Sequence, residues 1–193
     1  MDDLFNILYF IVLLIGSIIR VKYTRPYKRR SVNDDRKTVT DAILISLPGI
    51  GMFVLPFIFA LTNWLGFANY QLPAGAGWIG VTLFVFMLWL LWQSHVDLGL
   101  NWTPTMQVMD DHTLITSGVY QYICHPMYAA HLVWGIAQPL LLQNWIAGFS
   151  MIITSIPGLL YRIPREEQMM LEHFGEKYRS YLEKTYRIFP YLW

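Results

Sequence analysis

Cys124 is the only cysteine in 193 residues, so no intrachain disulfide can hold this chain and packing alone must do so. Charge is scarce as well: 14% of residues are Asp, Glu, Lys or Arg, against 55% that are hydrophobic. Too little polar sequence remains to cover a soluble core, which excludes an ordinary soluble domain and points to helices within a membrane. No G-x-G-x-x-G follows a strand, and no phosphate loop or G-x-S-x-G elbow occurs, so the familiar soluble nucleotide cradles and nucleophile elbows have no counterpart here. The histidines, His95, His112, His125, His131 and His173, form no H-x-x-x-H or H-E-x-x-H pair on one helical face. With a single cysteine beside them, histidines hydrogen-bonded at a membrane boundary are the simpler reading, and no metal is expected. Basic residues are missing altogether between Lys37 and Arg162. Eight of the fourteen Lys and Arg lie in residues 20–37 and six in residues 162–187. Such clusters suit a membrane surface, and no nucleic-acid partner is expected.

What is present is a series of apolar runs. The length prior gives one membrane-embedded domain over residues 1–193. Residues 4–19, with Arg20 and Lys22 snorkelling at the end, approach the roughly 20 residues a bilayer demands. Asp2 and Asp3 stand where a cleavable signal would be basic, so this first run is expected to stay in place. The terminal Pro190-Tyr191-Leu192-Trp193 is not a prenylation signal. Residues 20–41 form a polar hinge centred on Lys28-Arg29-Arg30, read as a loop lying on anionic lipid. A second span over residues 42–61 contains Pro48, Gly49, Gly51 and Pro56, so it should kink and its neighbours must satisfy the freed carbonyls. A third runs from residue 74 to about residue 92, completing three N-terminal spans over residues 1–92. Residues 93–125 are the one long insert. Two further runs follow, 126–142 and 145–161, separated only by Gln143 and Asn144 and expected to form a tight helical hairpin over residues 126–161. From Arg162 to residue 193 the pattern reads as an amphipathic helix with Met170, Phe174, Tyr178 and Tyr181 on one face.

The expected fold is therefore all-α: a polytopic membrane protein of five transmembrane helices with a C-terminal amphipathic helix. The basic first loop belongs on the cytoplasmic side. Counting spans then puts the N-terminus outside, and the 93–125 insert and the C-terminus inside, so a pocket formed by these polar segments faces the cytosol.

Two clusters stand out chemically. Residues 112–128, HTLITSGVYQYICHPMY, bring histidines, tyrosines and Gly118 to the point where an apolar run begins. Fragment by fragment, Gly118-Val119-Tyr120 reads equally as a turn, and His125-Pro126 as a helix start with Pro126 at its first position. In the second cluster, R-x-x-x-E-E from Arg162 to Glu167, Arg162 and Glu166 share a helical face four residues apart. Their order is the poorer one for helix stability, which adds some weight to a functional reading, but Pro164 near a helix start with acids in the first turn is the plainer account of the cluster.

Taken together, H-T-L-x-T-x-G-V-Y, H-P-x-Y, two apolar runs, R-x-x-x-E-E and F-G-x-x-Y from Phe174 resemble the isoprenylcysteine carboxyl methyltransferase family over about residues 107–190. Phospholipid N-methyltransferases and the C-terminal part of sterol reductases share looser versions of this layout. The resemblance implies an S-adenosylmethionine pocket lined by Gln107, His112, Thr113, Leu114, Ile115, Gly118, Tyr120, His125, Pro126, Met127, Tyr128 and Glu166. It makes Arg162 the contact to a lipophilic methyl acceptor from the bilayer, and Arg162 and Glu166 the catalytic pair. Cys124 stands where the family commonly has Arg, and Ala130 where it has Gly, departures that bear on the acceptor. The implied reaction is carboxyl O-methylation of an isoprenylcysteine-type acid. The alternatives are N-methylation of a lipid amine and a non-catalytic membrane protein that binds haem or lipid.

Overall fold

A computed structural model describes residues 2–27, 32–36, 38–103, 105–109 and 112–189. Its helices are α1 (Asp2–Tyr27), α2 (Val39–Gly49), α3 (Leu55–Leu61), α4 (Ala74–Leu98), α5 (Pro126–Leu142), α6 (Trp145–Phe174) and α7 (Glu176–Leu182). Among the described residues, four apolar stretches are long enough to cross a membrane: Leu4–Thr24, Val39–Leu61, Ala74–Asn101 and Trp145–Phe174. The fifth apolar run, α5, has 17 residues. Large apolar side chains such as Ile7, Leu14, Trp78, Val85, Ile153 and Leu160 point outward. Outward-facing side chains of this kind on long helices fit a hydrocarbon surround.

The core gathers Phe5, Tyr9 and Leu13 of α1, Phe84 and Met87 of α4, Trp134 and Ala137 of α5, and Met151 and Ile163 of α6. Helices α5 and α6 run antiparallel and close together because glycines face the partner backbone. A β-carbon on Gly135 would lie 2.7 Å from Ile152 Cβ, and one on Gly148 would lie 2.9 Å from Pro139 Cα. Asn144 begins α6 by accepting from the amides of Ile146 and Ala147, while its own amide donates to Leu65 O at 2.7 Å.

The kink expected around Pro48 and Pro56 takes the form of a π-helical turn, Ile50–Val54, joining α2 to α3. Pro56 has no N–H to offer the preceding turn, and the carbonyls of Gly51 and Met52 find partners on neighbouring helices. Tyr9 OH donates to Met52 O at 2.7 Å, and Ser150 Oγ and Gln138 Nε2 donate to Gly51 O at 2.6 and 3.0 Å. Gln138, fully buried, also accepts from Trp134 Nε1 at 3.0 Å. Gln138→Leu is therefore expected to leave the indole N–H without this acceptor and to lower stability by about 1–3 kcal/mol. Thermal unfolding of the detergent-solubilised protein measures this, and an unchanged midpoint would assign the network no weight.

Two features differ from the sequence expectation. The helix does not break at Arg162: α6 continues through Pro157 and Pro164 to Phe174, and only Gly175, at φ 56°, separates it from α7. The amphipathic C-terminal stretch is thus the second half of α6 plus α7. A small antiparallel ribbon is also present, with Asp34 opposite Val108 and Asp35 opposite Gln107. Here β1 (Val32–Asp35) comes from the polar hinge and β2 (Gln107–Met109) from the long insert. The buried side chains of Gln107 and Val108 anchor the ribbon. Arg36 pins it to α6 through Glu172 at 2.6 Å. The Lys28-Arg29-Arg30 cluster lies outside the described residues.

Candidate active site

The polar segments converge on a cavity of about 250 Å³ at one end of the helix bundle. Gln107 reaches it from β2, residues 112–115 and Tyr120 from the following loop, residues 125–128 from the start of α5, and Arg162 and Glu166 from α6. All the residues singled out from sequence line it except Gly118.

Gly118 has another task. Its φ is +63°, and a β-carbon there would fall 2.1 Å from Asp97 Oδ2. That carboxylate accepts from Val119 N at 2.8 Å and from Gln93 Nε2, through its other oxygen, at 2.7 Å. Gly118 thus lets the loop press its backbone against α4, setting Tyr120 over the bundle. Tyr120 is buried, and its carbonyl accepts from Tyr181 OH of α7 at 2.7 Å.

The start of α5 is clamped from the C-terminal side. Cys124 N donates to Tyr186 O at 2.7 Å, His125 N to Arg187 O at 2.9 Å, and Tyr186 N to Tyr122 O at 3.0 Å. Burial pushes the Cys124 thiol above its ordinary value, and its hydrogen bond with Thr185 partly offsets this. It is a packed thiol and not an activated nucleophile.

On α6, Arg162 and Glu166 do project from one face. Arg162 Nη2 donates to Glu166 Oε1 at 2.7 Å and Arg162 Nε to Tyr128 OH at 3.0 Å, while Tyr128 OH donates to Glu166 Oε1 at 2.5 Å. Arg162 is buried, at 8% exposure, so this three-membered network fixes a guanidinium in a setting where water screens little. Its Nη1 makes no hydrogen bond to a described residue. The His125 ring stacks on Tyr128 with centroids 5.5 Å apart, and His125 Nδ1 lies 3.9 Å from Glu166 Oε2.

Sequence reasoning gave no separate role to Glu167 and did not place Arg20 or Trp102 in the site. Glu167 lies on the other side of the His125 ring from Glu166, toward its Nε2. Arg187 grips both its oxygens, at 2.8 and 3.1 Å, and His125 Nε2 lies 3.4 Å away. That pairing holds the Arg187 guanidinium charge more firmly than usual and ties the C-terminal segment to His125. Arg20 does not snorkel outward; it lies over the Trp102 ring, 5.9 Å from its centroid, at the cavity wall. Only the position of Arg20 at the end of an apolar run hinted at this.

The apolar helices define an integral membrane protein, with a cavity where its polar segments meet them. A model described as the isoprenylcysteine carboxyl methyltransferase (ICMT) family matches residues 78–172. The protein-S-isoprenylcysteine O-methyltransferase of Dictyostelium discoideum is 30% identical over 115 residues, 58% of this chain and 48% of that protein. Its Homo sapiens counterpart is 32% identical over 142 residues, 69% of this chain and 50% of that protein. The solved structure of the eukaryotic intramembrane Ras methyltransferase ICMT without a monobody superposes with a TM-score of 0.51 at 22% identity, covering 83% of this chain and 55% of that one. Over residues 78–172 the chain is similar to the isoprenylcysteine carboxyl methyltransferase family. It spans about half the length of these two curated relatives.

Proposed function

We propose that this chain transfers a methyl group from S-adenosylmethionine to the carboxylate of a lipophilic, isoprenylcysteine-type acceptor. The observation that carries this reading is the buried Arg162, held by Tyr128 and Glu166 in the wall of the cavity. The names of the relatives, protein-S-isoprenylcysteine O-methyltransferases, support the acceptor class.

The residues fit the donor. Leu114, Ile115, Met106, Met169 and Met170 give the cavity apolar walls, with Gln107, His112 and Thr113 as polar neighbours. Tyr120, His125, Pro126, Met127, Tyr128 and Glu166 complete the cofactor side, and the aromatic faces favour a cation. When bound, S-adenosylmethionine supplies a methyl group on positively charged sulfur. A carboxylate is ionised at neutral pH, so the chain needs no general base to activate it. Its residues have to orient the acceptor and exclude water. Arg162 does the first by a charge-assisted contact from its remaining N–H groups, and Glu166 and Tyr128 keep it aimed. Gly118 shapes the loop and does not touch the ligand.

In the membrane we place five crossings, α5 included, with α5 and α6 as a helical hairpin. The basic loop after α1 then lies in the cytoplasm, the N-terminus outside, and the cavity and C-terminus on the cytosolic side. The acceptor's tail stays among the membrane lipids and enters from the bilayer, past Leu44, Ile45 and Gly158 at the cavity edge.

The test uses S-adenosylmethionine labelled in the methyl group and a prenylcysteine acid. Label recovered in a form released as methanol by mild base marks an ester and supports the reading. Base-stable label on an added lipid amine contradicts it and assigns the chain to N-methylation.

A further inference from the structure

Arg162 is the cation that the sequence brought forward, but two of its three nitrogens are already engaged by Tyr128 and Glu166. The other cation at the cavity is Arg20, which comes from α1, outside the residues matched to the family model. Among the described residues no carboxylate pairs with Arg20, and its close partner is the face of Trp102. Among the described residues, the Arg, Lys, Asp and Glu side chains lining the cavity are two guanidinium groups, Arg20 and Arg162, and one carboxylate, Glu166. Asp97 is committed to Val119 and Gln93, and Glu167 to Arg187, so neither is available to supply the missing charge.

An uncompensated guanidinium beside an apolar cavity is costly unless something of opposite sign joins it. Position suggests what that is. Arg20 also lines a second, mostly apolar cavity between α1, α2, α4 and α5, with Met52, Phe53, Met87 and Trp134 in its wall. Ile45, Pro48 and His131 belong to both cavities, so Arg20 stands where the polar space meets the apolar one. His131 supplies no counter-charge, because an imidazole is neutral or cationic; its Nδ1 faces Met127 O at 2.6 Å. An amphiphile bridging these spaces would put its head beside Arg20.

We infer that Arg20 selects the acceptor by charge: it is a second guanidinium receptor for an anionic head group, the acceptor's carboxylate, working opposite Arg162. This rests on the carboxyl-transfer reading and sharpens it. A lipid amine would meet an excess of positive charge at this junction. The transfer forms an O–CH3 bond and breaks the S–CH3 bond with its electron pair left on sulfur, and no proton is released. The acceptor's negative charge is therefore gone in the product. Arg20 holds the acid and has no such hold on the ester, which favours exchange of product for substrate.

The full chain in detergent, saturated with S-adenosylhomocysteine, is titrated with S-farnesyl-N-acetylcysteine and separately with its methyl ester. The acid is expected to bind at least about tenfold more tightly than the ester, the scale of one charge-assisted contact. In Arg20→Gln that ratio falls to within about twofold while affinity for the ester is kept, and Arg20→Lys retains part of the preference. Equal binding of acid and ester by the native protein, or an undiminished ratio in Arg20→Gln, overturns the inference. So does loss of acid and ester binding together, which makes Arg20 a packing residue. S-adenosylhomocysteine affinity, measured alongside, separates the two ideas. Its absence with the acid preference intact removes the methyl-transfer reading and leaves the anion receptor, whereas its presence without acid preference removes only the receptor.

Discussion

Arg162→Ala is expected to lower methyl transfer to a prenylcysteine acid by about two orders of magnitude in kcat/KM, or about 2.7 kcal/mol of transition-state stabilisation. The side chain is buried at 8% exposure and held by two partners, so removing it deletes a positioned charge from the cavity wall. Truncating one member of a desolvated, hydrogen-bonded charge pair typically costs about 2–5 kcal/mol, which brackets that loss. Arg162→Lys keeps the charge but cannot reproduce the fork that meets Tyr128 OH and Glu166 Oε1 together, so an intermediate loss is expected. Steady-state kinetics with donor and acceptor varied separately measure it. A near-native kcat/KM in Arg162→Ala, with an amine as the better acceptor, would transfer the chain to the rival N-methylation chemistry.

Gly118→Val is expected to weaken S-adenosylhomocysteine binding by about tenfold or more although Gly118 lines no part of the cavity. The backbone at φ +63° is strained for any L side chain, and more so for a β-branched one. The new β-carbon would also land on the Asp97 carboxylate that holds Val119 N. Loop and carboxylate must part, and Tyr120, which joins α4, the cavity and α7, moves with the loop. The transmembrane helices carry none of this strain, so far-ultraviolet circular dichroism stays native while calorimetric affinity drops. Unchanged affinity would mean that the loop tolerates displacement and that Asp97 does not set its position.

Much of the architecture was legible because the apolar runs are long and polar residues sparse. The paired position of Arg162 and Glu166 followed from four-residue spacing, and the gathering of His112, His125 and Tyr128 followed from their crowding in one short stretch. Other features depend on tertiary partners that no local pattern reveals. Pro56 announced a kink, but its form as a π-turn depends on Tyr9, Gln138 and Ser150 from three other helices. Pro164 suggested a helix start near Arg162, yet packing carries α6 straight through it. Gly118 read as a site residue because it sits among residues that line the cavity; its φ and the nearness of Asp97 are set by the folded chain. Arg20 read as a residue reaching for the membrane surface, because only the folded chain puts Trp102 beneath it.

The central claim is that the cavity between the H-P-x-Y turn and α6 holds S-adenosylmethionine. Isothermal calorimetry of S-adenosylhomocysteine binding to the detergent-purified chain tests it most directly, with Glu166→Ala and His125→Ala beside the native protein. Saturable binding by the native chain, weakened by about tenfold or more in both variants, is the predicted result. No binding to native protein of demonstrated fold, or equal binding in all three, would contradict the account.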